Sequence, residues 1–181
     1  MDSICSLSSP MGPLHLAADG AALTGLWMEG QKYFAATLTG REQTAQLPVF
    51  DEVRRWLEDY FSGKIPGPLP PLAPRGSAFR QEVWKLLLEI PRGETTTYGT
   101  LAEYLRARGV AASAQAVGGA VGHNPISILI PCHRVVGSDG SLTGYAGGLD
   151  KKRMLLDLEG ADLSRLYSPK RRVLGHAVER F

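Results

Sequence analysis

His123-Asn124-Pro125-Ile126-Ser127-Ile128-Leu129-Ile130-Pro131-Cys132-His133-Arg134-Val135-Val136-Gly137 runs an apolar segment directly into a cysteine, a histidine and an arginine. Ile126 to Ile130 is apolar enough to be buried on most sides, and Pro131 fixes the backbone immediately before Cys132 and His133. A thiol is a useful nucleophile only as thiolate, and a nearby imidazole or cation is the usual means of depressing its pKa. Adjacent residues do not normally face each other, and many buried cysteines are merely small hydrophobes. The pair alone therefore leaves a reactive and an inert thiol both open.

Upstream of this stretch the pattern is helical. Ser77 to Ile90 reads as a helix with Ser77 as N-cap, ended by Pro91-Arg92-Gly93. Thr97 can cap a second helix, Tyr98 to Arg108, with Leu101, Ala102 and Leu105 inward and Gly109 as its breaker. A third, from about Ser113 to Val121, is nearly all small residues. Two helices joined by a short glycine-containing turn have the outline of a helix-turn-helix. Gly118 and Gly119 each cost about 1 kcal/mol relative to alanine inside that third helix. Either another element packs tightly there or a ligand backbone approaches closely.

Further out, the first third reads as strands and then a helix. Gly12 to Gly20 ends on Asp19-Gly20, and Ala22 to Met28 follows, which predicts a hairpin. Apolar residues at 50, 53, 56, 57, 60 and 61 have helical spacing, stopped by Ser62-Gly63. Trp27, Trp56 and Phe61 are expected in the core. Pro66, Pro68, Pro70, Pro71 and Pro74 then make a stiff segment, and the domain boundary is placed there. This gives an N-terminal domain over 1–75, a second domain over 76–165 and a basic tail over 166–181.

The whole chain has 181 residues, enough for one large domain or two small ones. Its 44% hydrophobic and 21% charged residues exclude a disordered or fibrous protein. No apolar run approaches the roughly 20 residues needed to span a bilayer, and the N-terminus lacks the flank and core of a signal peptide. Cys5 and Cys132 make no disulfide framework, which favours an intracellular, cytoplasmic setting (nuclear in a eukaryote). Cys5 and His15 fall short of a zinc ligand set, so no metal is expected. Net charge is +2, but Tyr104 to Ser138 contains no acid while holding Arg106, Arg108 and Arg134. Such a stretch suits a polyanion; it also suits a buried segment with no use for acids. Lys151-Lys152-Arg153 reads as a solvated helix start, and His15 and His176 as surface or edge residues.

Asn124-Pro125 followed by Ile130-Pro131-Cys132-His133-Arg134-Val135-Val136-Gly137 resembles the active-site signature of the O6-alkylguanine-DNA alkyltransferases, also named methylated-DNA–protein-cysteine methyltransferases. The resemblance extends through Pro91-Arg92-Gly93-Glu94 with Tyr98, and through Ala116-Val117-Gly118-Gly119-Ala120. Downstream it takes in Gly144-Tyr145-Ala146-Gly147-Gly148-Leu149 and Leu155-Leu156-Asp157-Leu158-Glu159-Gly160, so that it covers about Phe79 to Gly160. It implies an α+β protein: a small sheet-and-helix, ribonuclease H-like domain, then a winged helix-turn-helix domain bearing the cysteine. It also implies a DNA-repair methyltransferase that passes the alkyl group of O6-alkylguanine to sulfur once, without a cofactor, with O4-alkylthymine as a second candidate substrate. The partner would be double-stranded DNA read from the minor groove, with the damaged base extruded, and the protein would act as a monomer.

Carried over residue by residue, the resemblance makes Cys132 the nucleophile, His133 its base through a bridging water, and Glu159 the group that orients the imidazole. Asn124 would brace the turn before the active-site strand, and Tyr98 would donate to the guanine ring. Val135 and the Tyr145–Ala146 backbone would line the base pocket. Gln115, Ala116, Gly118, Gly119 and Arg134 would meet DNA. Gln115 departs from the arginine common in the family, which fills the space of the extruded base; glutamine lacks the charge and the stacking plane. A few extra residues lengthen the turn around Gly109 to Ala112, and Lys170-Arg171-Arg172 in the tail has no counterpart. Two rivals belong to other classes: a non-catalytic DNA-binding module of the same fold, and a Cys-His-Glu hydrolase that turns over repeatedly.

Overall fold

The computed structural model describes residues 1–169; Lys170-Arg171-Arg172 and His176 lie outside the described residues. The N-terminal strand β1 (Ser3–Leu7) has no alternation of polar and apolar residues to announce it. It pairs antiparallel with β2 (Leu14–Ala18), which pairs antiparallel with β3 (Leu23–Met28) across the expected Asp19-Gly20 turn. A two-residue strand, β4 (Gln43–Thr44), adds parallel to β1 and completes the order β3-β2-β1-β4. Helix α1 (Pro48–Phe61) starts with proline in its first turn, where no amide donor is missed, and buries Val49, Phe50, Val53, Leu57 and Tyr60. Trp27 is buried as expected; Trp56 and Phe61 are only half-buried against the same core.

The proline-rich segment is pinned rather than free. Leu23 donates to the Pro71 carbonyl and Ala73 donates back to Leu23, both at 2.8 Å, so the segment covers the outer edge of β3. Arg75 then makes two 2.7 Å bonds to Asp2.

Three capped helices follow. Ser77 accepts from Arg80 at the start of α2 (Ala78–Leu88), Thr97 from Thr100 at α3 (Tyr98–Ala107), and Ser113 from Ala116 at α4 (Ala114–Gly122). Each serine or threonine satisfies an amide that the helix itself cannot. Between α2 and α3, β5 (Thr96–Thr97) pairs parallel with β6 (Val135–Val136), and α5 (Leu149–Leu158) closes the region. Trp84 on α2 donates its indole N–H to the Ala120 carbonyl near the end of α4, at 2.9 Å.

The two regions share one apolar core, running from Leu14, Leu26 and Phe50 through Trp84 and Val117 to Ile130. They also share backbone. Leu26 donates to Pro125 at 2.8 Å and Ser127 donates to Leu26 at 2.9 Å, so the free half of the β3 edge holds the segment that leads to Cys132. Near the tail, Tyr167 pairs with the Gly140–Leu142 turn: its N–H reaches Gly140 at 3.1 Å, and its carbonyl accepts from Leu142 at 2.9 Å. Among the described residues no helix is long and apolar enough to cross a membrane.

Candidate active site

Ile126 to Ile130 is buried throughout, as its composition requires. The chain turns there with Ile128 at φ 72°, a left-handed conformation rare for a β-branched residue. Asn124 holds the turn. Its amide donates to the Ile126 carbonyl at 3.3 Å and the Ile130 carbonyl at 2.8 Å, and its oxygen accepts from Ile126 N–H at 3.0 Å. A short 3-10 turn, Cys132–Arg134, then places the thiol and the imidazole inside, with Cys132 5% exposed and His133 fully buried.

Glu159, just past the end of α5, gathers four hydrogen bonds. Oε1 takes His133 Nε2 at 2.7 Å, the Tyr60 hydroxyl at 2.8 Å and Arg134 Nη2 at 3.0 Å; Oε2 takes Arg134 Nε at 2.9 Å. Burial pushes this carboxyl up, but the hydrogen bonds of His133 and Arg134 and the charge of Arg134 outweigh it and hold Glu159 well below the usual carboxylate range. An ionised carboxylate can only accept, so Nε2 of His133 carries the proton and Nδ1 keeps its lone pair. Nδ1 is buried and bonds to no protein group. Burial also holds His133 below the ordinary histidine value, against the pull of Glu159. The resting imidazole is a neutral base.

The thiol at rest is not ionised. Burial raises Cys132, while the Asn124 amide, the charge of Lys152 and the backbone N–H groups of Cys132 and His133 pull it back. Lys152 is a correction: it is fully buried, not part of a solvated helix start. Its Nζ donates to the Val135 carbonyl and, at 2.9 Å, to the Thr143 carbonyl. Burial lowers its pKa to about 8, opposed by its attraction to Cys132. The spacing could have revealed this, since Lys152, Leu155, Leu156 and Glu159 lie on one helical face. Arg134, expected to meet DNA, is engaged inside the protein. Its guanidinium serves Glu159 and the Ile90 carbonyl, leaving a side chain 12% exposed.

Above the buried cluster lies a cavity of about 360 Å³ lined by Gly118, Gly119, Gly122 and His123 of the α4 end and by Gly144, Tyr145 and Ala146. Two residues from the N-terminal region, Lys32 and Tyr33, complete it. The Lys32 N–H bonds the Ala146 carbonyl at 3.0 Å, and Tyr33 stacks on His123 with ring centroids 3.9 Å apart. Tyr98 Oη donates to Thr143 at 2.8 Å, and a Cβ on Gly144, which sits at φ +84°, would meet that hydroxyl at 2.5 Å. The Tyr145 ring stands edge-on to His133 at 6.5 Å.

Packing does not explain the glycine pair. A Cβ on Gly119 would meet nothing within 4 Å, and one on Gly118 only the Tyr98 ring at an ordinary 3.8 Å. Gln115 and Ala116, in the first turn of α4, are exposed on the same helix. The structure thus divides the expected residues into a buried group (Cys132, His133, Glu159, Asn124), a pocket group (Tyr145, Ala146, Gly118, Gly119, with Tyr98 beside it) and an outer pair (Gln115, Ala116). Val135 joins the buried group, its carbonyl held by Lys152.

The 6-O-methylguanine DNA methyltransferase DNA binding domain matches residues 78–161, and the ribonuclease-like domain of the same family matches residues 5–69. The chain belongs to this methyltransferase family. A methylated-DNA–protein-cysteine methyltransferase of Mycobacterium tuberculosis is 46% identical over 154 residues, covering 85% of this chain and 90% of that protein. Its counterpart in Haemophilus influenzae is 47% identical over 152 residues, covering 83% and 82%. Among solved structures, Mycobacterium tuberculosis OGT in complex with DNA superposes with a TM-score of 0.77 at 43% identity, covering 91% of this chain and 94% of that one. The α+β architecture of this family member, sheet region first and helical region second, is that of its solved relative.

Proposed function

We propose that this methyltransferase repairs DNA by taking the alkyl group of O6-alkylguanine onto Cys132, once per molecule. The observation that carries the assignment is the buried chain Glu159–His133, which leaves an unpaired basic nitrogen on the residue next to a buried thiol. His133 Nδ1 takes the thiol proton, through a water, as the base enters the pocket; Nε2 stays bonded to Glu159, which stabilises the imidazolium. The sulfur attacks the alkyl carbon, the C–O bond breaks, and its electron pair remains on the guanine. Tyr98 exchanges its bond to Thr143 for one to the guanine ring, neutralising charge as it develops there. The thioether has no easy hydrolytic exit.

Extruding a stacked base costs a few kcal/mol, and the bare α4 face lets the helix approach the DNA backbone closely. Gly118 and Gly119 form that face, Ala116 flanks it, and Gln115 enters the vacated space. Asn124 braces the turn below, while the Val135 carbonyl and the Tyr145–Ala146 backbone line the pocket. The protein acts as a monomer on double-stranded DNA, entering from the minor groove, in the compartment that holds the chromosome. Alkylated thymine fits the same reaction.

Intact-mass spectrometry after incubation with O6-methylguanine DNA tests the reading. One added methyl group per chain, mapped to Cys132 and absent in Cys132→Ala, is expected. Turnover beyond one equivalent, or methylation of Cys5, would overturn it.

A further inference from the structure

The residue that the alkyl-transfer chemistry above leaves unused is Tyr60. It lies on α1, in the N-terminal region, yet its hydroxyl donates to the Glu159 oxygen that also binds His133, at 2.8 Å across a separation of 99 residues. The phenol is clamped on several sides. Trp56 stacks on it at 5.3 Å and 12°, Phe61 meets it edge-on at 5.3 Å, and the Arg92 guanidinium lies 5.1 Å from its centroid. Arg92 is itself held by the Lys64 carbonyl at 3.2 Å and the Leu158 carbonyl at 3.5 Å. Tyr60 is 1% exposed, so the ring has no alternative place to go.

We infer that Tyr60 is a positioning residue for alkyl transfer: the N-terminal region supplies, through its hydroxyl, a fixed donor that holds the Glu159 carboxylate in the orientation His133 needs. Arg134 grips both oxygens of the same carboxylate but adds a full charge. The Tyr60 bond is neutral, so it fixes direction while drawing off less of the negative charge that stabilises the imidazolium than a second cation would. Burial, followed by the nearby Glu159 charge, pushes the phenol far above its ordinary value, so it remains a donor across the working range. The ends of the arrangement are rigid, and its middle is a short, directed bond. It rests on the alkyl-transfer reading.

The test is the single-turnover transfer rate to O6-methylguanine DNA as a function of pH for the full chain, Tyr60→Phe and Tyr60→Met. Both variants fill the space without a donor, and both should lose about tenfold at pH 7, the scale of one hydrogen bond to a charged group. The loss should shrink toward nothing at high pH, where the thiolate forms without His133. In the Glu159→Gln background, Tyr60→Phe should add little further loss. A rate at pH 7 unchanged by Tyr60→Phe, an equal loss at every pH, or additive losses in the double variant would each overturn the inference. Absence of transfer by the unaltered chain would instead overturn the proposed function.

Discussion

The N-terminal sheet satisfies its backbone with backbone, whereas the segments around Cys132 rely heavily on side chains. Strands β1 to β3 form a ladder between Ser3 and Met28 with a single register shift at Ala17–Ala18. Around Cys132, between the helices, the equivalent work falls to Asn124 on the Ile126 and Ile130 carbonyls, Trp84 on Ala120, Lys152 on Val135 and Thr143, and Arg134 on Ile90. A ladder is indifferent to most side chains, because its bonds do not depend on them. A backbone held by side chains can take unusual paths around a reactive group, and it loses those paths with one substitution. Sensitivity to mutation should therefore concentrate around the cysteine.

The largest effect should come from Lys152→Met. It leaves two carbonyls without their donor, at about 1–3 kcal/mol each, and removes a cation that favours the thiolate. Denaturant unfolding should show a loss of several kcal/mol, and transfer should fall by far more than tenfold. By contrast, Thr44→Ala on the exposed β4 should change stability by under about 0.5 kcal/mol. Comparable losses at the two positions would break the comparison.

Next come the two partners of the thiol. His133→Ala should slow transfer about a hundredfold at pH 7, the usual scale for a lost general base, and much less at high pH. Glu159→Ala should follow the same pattern more weakly. A loss independent of pH in rapid-quench rates would make both residues scaffold rather than chemistry.

Acid should weaken the C-terminal cluster before the ladder. His133 and Glu159 are both held below their ordinary values of 6.5 and 4.5, so the unfolded chain binds protons that the folded chain refuses. Their contribution is complete above pH 6.5 and is lost as pH falls, first through His133 and then, below 4.5, through Glu159. Urea midpoints measured across this range should fall with pH, and less so in Glu159→Gln. A flat profile would remove the cluster from the stability of the fold.

The smallest effect lies outside the buried cluster. Gln115→Arg should speed repair of duplex DNA by about fivefold, roughly 1 kcal/mol for one stacking or charged contact, and leave the reaction with free O6-benzylguanine unchanged. Parallel rate measurements with both substrates decide it, and a duplex rate unchanged or lowered would make glutamine the better filling residue.

What could be read in advance follows the same division. The β2–β3 hairpin and the caps Ser77 and Thr97 were legible because each is a local arrangement of a few residues. Cys132, His133 and Glu159 were singled out through a resemblance, not through their spacing, and the fold joins His133 to Glu159 next to the thiol. Lys152 was hidden by its basic neighbours, although its helical position beside Leu155 and Leu156 carried the signal. Arg134 and Tyr60 carry none, because their common partner lies 25 and 99 residues away and only the folded chain brings it near. Strand β1 owes its existence to β2, which no inspection of Ser3 to Leu7 by itself discloses.

The depth of Cys132 has a chemical consequence apart from catalysis. A sulfur that reacts once must stay reduced and unmodified until its lesion arrives. With 5% exposure and a pKa raised by burial, Cys132 presents almost no thiolate to peroxide, disulfides or small electrophiles in bulk solution. Cys5, the other free thiol, is more exposed. Concealment thus acts as storage: it keeps the sulfur out of reach of reagents in bulk solution.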